Sequence, residues 1–172
     1  HTRTDRDWSS DVCSSDLGND YGWSGYTLTG FPTGSFTHKW QYEKDTSAVA
    51  GEDTAWLDLV KFPDGAEEGF DGVTPPALPS GWSTGGNANW STISSPADLS
   101  PTRPNCAKAG AISNSQTTYL QVTHNNTSAG NLQFIVRTSS EDGYDGVQYY
   151  LGATKYFDLI SGVPSSSVTS SS

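Results

Sequence analysis

Ser35–Glu43 reads SFTHKWQYE, and a strict alternation runs through it: Phe36, His38, Trp40 and Tyr42 fall on one side of an extended chain, Thr37, Lys39, Gln41 and Glu43 on the other. Successive side chains of a strand point to opposite faces, so this stretch predicts a half-buried strand with one dry face and one wet face. The same period returns downstream. Thr54–Phe62 (TAWLDLVKF) sets Ala55, Leu57 and Leu59 opposite Trp56, Asp58, Val60 and Phe62, which predicts a strand covered on both sides. Thr118–Thr123 (TYLQVT), Asn131–Thr138 (NLQFIVRT) and Gly146–Leu151 (GVQYYL) alternate again. Their inward sets are Leu120 and Val122, then Leu132, Phe134 and Val136, then Val147, Tyr149 and Leu151. Shorter strands are expected near Tyr26–Thr29, Trp90–Ile93, Ala107–Ile112 and Lys155–Ile160, with clusters of Gly, Pro, Asn and Ser between them. No stretch has the period of an amphipathic helix. About nine strands separated by turn signals make the expected fold all-β, a two-sheet antiparallel β-sandwich.

Composition points the same way and narrows the partners. The chain has 172 residues, enough for one domain with a real core, and its six Trp and eight Tyr with no Met favour strands and turns over helices. Nine basic residues stand against nineteen acidic ones, a net charge of -10. Nucleic acid and an anionic membrane surface would be repelled, so neither is expected as a partner. No apolar run is long enough to span a bilayer as a helix, so no membrane insertion is expected. The two cysteines, Cys13 and Cys106, do not make a disulfide framework.

Asp7–Leu17 reads DWSSDVCSSDL and resembles the conceptual translation of a sequencing-library adapter over all eleven residues. Residues 1–17 are therefore expected to be a non-native, poorly ordered scar, with Gly18 beginning in mid-protein. Residues 18–163 are expected to form a single sandwich, and 164–172 (PSSSVTSSS after Val163) a flexible Ser/Thr-rich tail.

Within the sandwich the motifs carry a family resemblance. Leu78–Ser91 (LPSGWSTGGNANWS), Ala107–Ser113 (AKAGAIS) and Ser139–Tyr149 (SSEDGYDGVQY) resemble the first part of a jelly-roll module of bacterial secreted proteins, related to MAM and cleaved-adhesin domains. Phe36–Pro63, with HKWQYEKD and DTAWLDLVKFP, resembles the last part of the same module. The order is inverted, which implies that 18–63 closes one repeat, 64–79 links, and 80–163 opens the next. Such a piece is expected to close as a circularly permuted sandwich of the jelly-roll, concanavalin-like kind. The resemblance also implies calcium. In related modules the acidic residue after a first-strand Phe and an aspartate of the last strand share an ion, and here Phe70-Asp71 and Asp58 occupy similar positions. Leu59 stands where many relatives carry a second aspartate.

The residues offer little for catalysis. Gly81-Trp82-Ser83-Thr84-Gly85 matches the G-x-S-x-G nucleophile elbow, but that motif needs a strand-to-helix turn on an α/β sheet, and only His38 and His124 lie outside the scar as bases. No strand offers the paired carboxylates of a glycosidase, so the chain is expected not to be an enzyme. Hard-oxygen sites suit calcium better: Asp58 and Asp71 form one candidate group, and the turn carrying Glu141, Asp142 and Asp145 a second. Trp23, Trp82, Trp90 and Tyr150 are the candidate ligand-binding residues, because sugar rings stack on aromatic faces where a few polar groups fix orientation. The expected role is a non-catalytic adhesion or binding module of a secreted or cell-surface repeat protein. It would contact a surface protein or a glycan, with adjacent repeats as further partners. A carbohydrate-binding module attached to a hydrolase and a purely structural spacer are the alternatives.

Overall fold

The computed structural model describes residues 24–46, 54–94, 105–139 and 146–161, with backbone alone for 24 and 156–161. Among these residues there are eleven strands and no helix. They are β1 (Ser24–Phe31), β2 (Gly34–Glu43), β3 (Thr54–Lys61), β4 (Glu67–Glu68), β5 (Trp82–Gly86), β6 (Ser91–Ile93), β7 (Cys106–Lys108), β8 (Thr117–Asn126), β9 (Gly130–Ser139), β10 (Gly146–Leu151) and β11 (Thr154–Ser161).

Two antiparallel sheets pack face to face as a β-sandwich. The β3 sheet runs β1-β9-β3-β7-β6, with β4 appended to β3, and the β2 sheet runs β11-β10-β2-β8-β5. Strands from before Pro63 and after Pro79 interleave in both sheets: β2 lies between β8 and β10, and β3 between β7 and β9. The β2–β8 pairing is unbroken over ten residue pairs, from Gly34 with Asn126 to Glu43 with Thr117. Alternation on both strands fixes that register, since a slip by one residue would turn every apolar side chain to the wrong face.

The core fills from the dry faces of these strands. His38, Trp40 and Tyr42 are buried as the alternation of β2 predicts. Trp40 meets Phe134 edge-on at 5.5 Å and Tyr149 at 5.5 Å, and Trp82 stacks on Trp40 at 5.8 Å. Offset and edge-to-face contacts of this kind add to the area that the rings bury.

Strand β3 departs from simple alternation. Leu59 has a left-handed φ of 51°, and the pairing with β9 shifts between Asp58 and Lys61. The resulting bulge reverses the phase. Val60 and Phe62 join Ala55 and Leu57 in the inter-sheet core, whereas the sequence pattern sets them opposite. Asp58 accepts a hydrogen bond from the Leu59 amide at 2.8 Å, which helps to hold the turn of the chain. Ahead of the bulge Trp56 and Asp58 face away from the core, yet both are buried.

Expectation and structure differ at two further places. Trp82–Gly86, not among the strands expected from sequence, is a strand on the edge of the β2 sheet. Two adjacent glycines lower its strand propensity, and pairing with β8 overrides that. The stretch from Ala107 to Ile112 yields a strand only over Cys106–Lys108, after which the chain leaves the sheet.

Candidate functional site

The wet face of β2 carries the most organised polar surface among the described residues. Cross-strand register sets its side chains in rows. One row runs Tyr119, Gln41, Gln148 across β8, β2 and β10; the next runs Gln121, Lys39, Tyr150. Each row has a tyrosine at one end and a glutamine at the other, and the two rows point in opposite senses. Neighbouring strands lie about 4.8 Å apart, so each row presents three groups over about 10 Å.

Lys39 joins the rows. Its ammonium lies 5.3 Å from the centre of the Tyr119 ring and 4.6 Å from that of Tyr150, within the range of cation–π attraction. The hydrogen bonds of the face are short and local: Gln41 donates to Glu43 at 2.6 Å, and the Tyr150 hydroxyl donates to Gln148 at 3.0 Å. Tyr119 lies over Gly85 of β5. A Cβ at Gly85 would sit 2.5 Å from the tyrosine oxygen, so the absence of a side chain there gives the ring its seat. Thr37 and Thr123 continue the polar face, their hydroxyls 2.8 Å apart.

Of the described residues picked from sequence as ligand-binding, Tyr150 alone lies on this surface. Trp90 is 2 % exposed inside the core, its ring closed off from any ligand. Trp82 is half-buried, stacked on Trp40 and edge-on to Phe70 at 5.1 Å, so it serves packing. Trp82 is held by aromatic neighbours whose proximity only the pairing of distant strands creates, and Trp90 lies in the hydrophobic core. Trp23 lies outside the described residues, as do Glu141, Asp142 and Asp145, and residues 1–17 and 164–172. The sequence reading missed Tyr119 and Lys39 as site residues. Their signal was present in the polar phase of SFTHKWQYE and TYLQVT.

Asp58, fully buried, and Asp71, exposed at the surface, both come near Gly69: a Cβ on that glycine would lie 3.9 Å from the Asp58 Oδ1 and 3.4 Å from the Asp71 Oδ2. The other Asp71 oxygen accepts from the Asn105 amide at 2.9 Å, and the Asn105 side chain donates to the Phe70 and Val73 carbonyls at 2.9 and 3.0 Å. Asn105 thus pins the segment that follows Gly69. Among the described residues no group of three or more His, Cys, Asp or Glu side chains gathers at metal-binding spacing.

Both histidines are structural in their contacts. His38 Nδ1 is hydrogen-bonded to the Tyr149 hydroxyl, its Nε2 is buried without a partner among the described residues, and burial followed by repulsion from His124 lowers its pKa to about 4. His124 stacks on Phe62 at 4.0 Å and its Nε2 meets Asp64 at 3.0 Å. Amide donors from Thr127 and Ala66, with a further bond from His124, hold the Asp64 carboxyl well below the usual carboxylate range. The Gly81–Gly85 string runs into strand β5, and Ser83 pairs with Gln121 in the sheet rather than sitting at a strand-to-helix turn.

Comparison with protein-family models, with curated proteins and with solved structures finds no match to this chain.

Proposed function

We propose that the chain is a non-catalytic binding module of an extracellular, multidomain protein, and that it engages a glycan through the wet face of the β2 sheet. The carrying observation is the pair of tyrosines, Tyr119 and Tyr150, set on either side of Lys39 among three glutamines on a regular sheet. A pyranose has an apolar face that stacks on an aromatic ring and a rim of hydroxyls that amides and ammonium groups satisfy. A flat sheet offers both at the spacing of the strands. The resemblance of the motifs to MAM-like and cleaved-adhesin modules supports the extracellular setting. A protein partner and a spacer role are the competing readings.

The test is a glycan array probed with the wild-type chain and with Tyr119→Ala and Tyr150→Ala. Binding that both substitutions weaken at least tenfold, with thermal stability preserved, supports the reading. Binding that neither substitution alters, or a wholly silent array, sinks it.

Calcium forms a second part of the proposal, with Asp58 and Asp71 as its carboxylate ligands. Calcium takes hard oxygen ligands, and a carboxylate oxygen of Asp58 and one of Asp71 both lie near Gly69. Calcium would supply a fixed positive charge there and tie β3 to the segment that follows β4. A thermal melt with calcium against one with chelator tests it.

A further inference from the structure

We propose that the ligand face selects an acidic glycan, a polymer bearing uronic acid carboxylates, and that Lys39 is the specificity-determining residue. This rests on the reading of the β2 sheet as a glycan surface and deepens it.

The charge balance of the face runs against that of the chain. Overall, acidic residues outnumber basic ones nineteen to nine. On the two central rows the ionic group is Lys39, and the second row extends across β11 to Lys155, which pairs with Tyr150 and is exposed. The nearest carboxylate on β2 is Glu43, at the end of the strand, where the Gln41 amide already donates to it. No carboxylate among the described residues forms an ion pair with Lys39. A lysine in a chain this acidic ordinarily finds an acidic neighbour. Here the ammonium rests against two electron-rich rings, which hold it in place, and among the described residues no carboxylate neutralises it.

That arrangement fits an anionic sugar better than a neutral one. A neutral pyranose stacking on Tyr119 or Tyr150 would compete with the ammonium for the ring faces and offer it only hydroxyl oxygens. A uronate would place its carboxylate on the ammonium, in a charge-assisted hydrogen bond, while its ring and the adjoining sugar reach the tyrosines on either side. Gln41 and Gln121, both partly exposed, then have hydroxyls to bind. The acidic remainder of the protein sets a limit on this attraction. A net charge of -10 opposes bulk polyanion adsorption, which favours recognition of local carboxylates along these rows.

The experiment uses the full chain in affinity electrophoresis and calorimetry against polygalacturonate, alginate and hyaluronan, each beside its carboxyl-reduced, neutral form. The expected result is retention by at least one uronate polymer that falls tenfold or more on carboxyl reduction, and by a similar factor between low salt and about 0.3 M salt, where screening shortens to several Å. Lys39→Gln should lose the preference and Lys39→Arg keep most of it, with unchanged melting temperatures. Equal binding to native and reduced polymer, or an acidic preference untouched by Lys39→Gln, overturns the inference. If the neutral form binds and Tyr119→Ala abolishes it, the acidic specificity fails while the ligand face stands. Binding to neither form overturns the inference as well.

Discussion

The two sheets of this sandwich turn very different outer faces away from the core. On the β3 sheet, Trp56, Asp58, Cys106 and Ile135 all lie on the side opposite the inter-sheet core, and all are buried. Arg137 stands 4.4 Å above the Trp56 ring and Lys108 lies 5.8 Å from it, so one tryptophan holds two cationic neighbours. On the β2 sheet the corresponding side chains are Tyr119, Lys39, Tyr150 and glutamines, most of them partly exposed. Both faces put cations on aromatic rings. On the first the ring is closed off from solvent and contributes to stability; on the second it remains within reach of a ligand. The difference teaches that a cation–π pair marks a binding surface only where the ring is open to solvent.

The largest effect should come from breaking the closed face. Trp56→Ala removes a ring that is 2 % exposed, and truncations of that size cost about 3–5 kcal/mol in well-packed sites. Tyr150→Ala, on the open face, should cost less than about 1 kcal/mol while removing glycan binding. Chemical denaturation of the two variants measures the contrast; equal losses of stability would erase it.

A single strand carries the same contrast between neighbours. His38 and Lys39 are adjacent on β2, one sealed among Phe31, Phe62, Trp40 and Tyr149, the other in the wet rows. With its folded-state pKa lowered from 6.5 to about 4, His38 stays neutral while the unfolded chain takes up a proton. Stability is therefore full above pH 6.5 and falls as the pH drops toward 4, by up to about 3 kcal/mol at 1.4 kcal/mol per unit. Below about 3.8 the protonation of Asp64 should add to the loss, because the unfolded chain then binds a proton that the folded carboxylate still refuses. Denaturant midpoints across this range check the slope, and His38→Leu should flatten it between pH 6.5 and 4.

The proposed calcium site concerns the closed face alone. An ion bound to the folded state by Asp58 and Asp71 should stabilise it by about 2–3 kcal/mol at a hundredfold excess over its dissociation constant. Asp58→Asn should abolish the response, and ligand binding on the β2 sheet should stay as it was. A melting temperature indifferent to calcium and chelator would remove the ion from the account.

How far these features could be read beforehand depends on the range of the forces behind them. Alternation is local, so the burial of His38, Trp40 and Tyr42 and the outward turn of Lys39 and Gln41 were legible in nine consecutive residues. The bulge at Leu59 was not, because an apolar residue in a left-handed conformation carries no compositional mark and alternation simply continues through it. The rows were hidden for another reason. Tyr119 and Tyr150 flank Lys39 only because β8 and β10 pair with opposite edges of β2, and no spacing along the chain records that. Trp82 and Trp90 drew attention as large aromatics, yet ring size says more about burial than about binding.

A glycine with a small expected effect on stability offers the most direct probe of the open face. Gly85 pairs with Tyr119 across β5 and β8, and its missing side chain leaves the space that the tyrosine ring occupies. In Gly85→Ala the new methyl would come within 2.5 Å of the Tyr119 oxygen and 2.7 Å of the adjoining ring carbon. The obstacle is the far end of a partly exposed side chain, so the ring lifts while the backbone stays, and the cost should remain below about 1 kcal/mol. Lifting Tyr119 moves one of the two walls that flank Lys39. Glycan affinity should then fall severalfold in Gly85→Ala although no polar contact is deleted, and a Gly85→Ala, Tyr119→Ala double variant should bind no worse than Tyr119→Ala alone. Additive losses would mean that the glycine acts on the ligand by some other route than the seat it gives the ring.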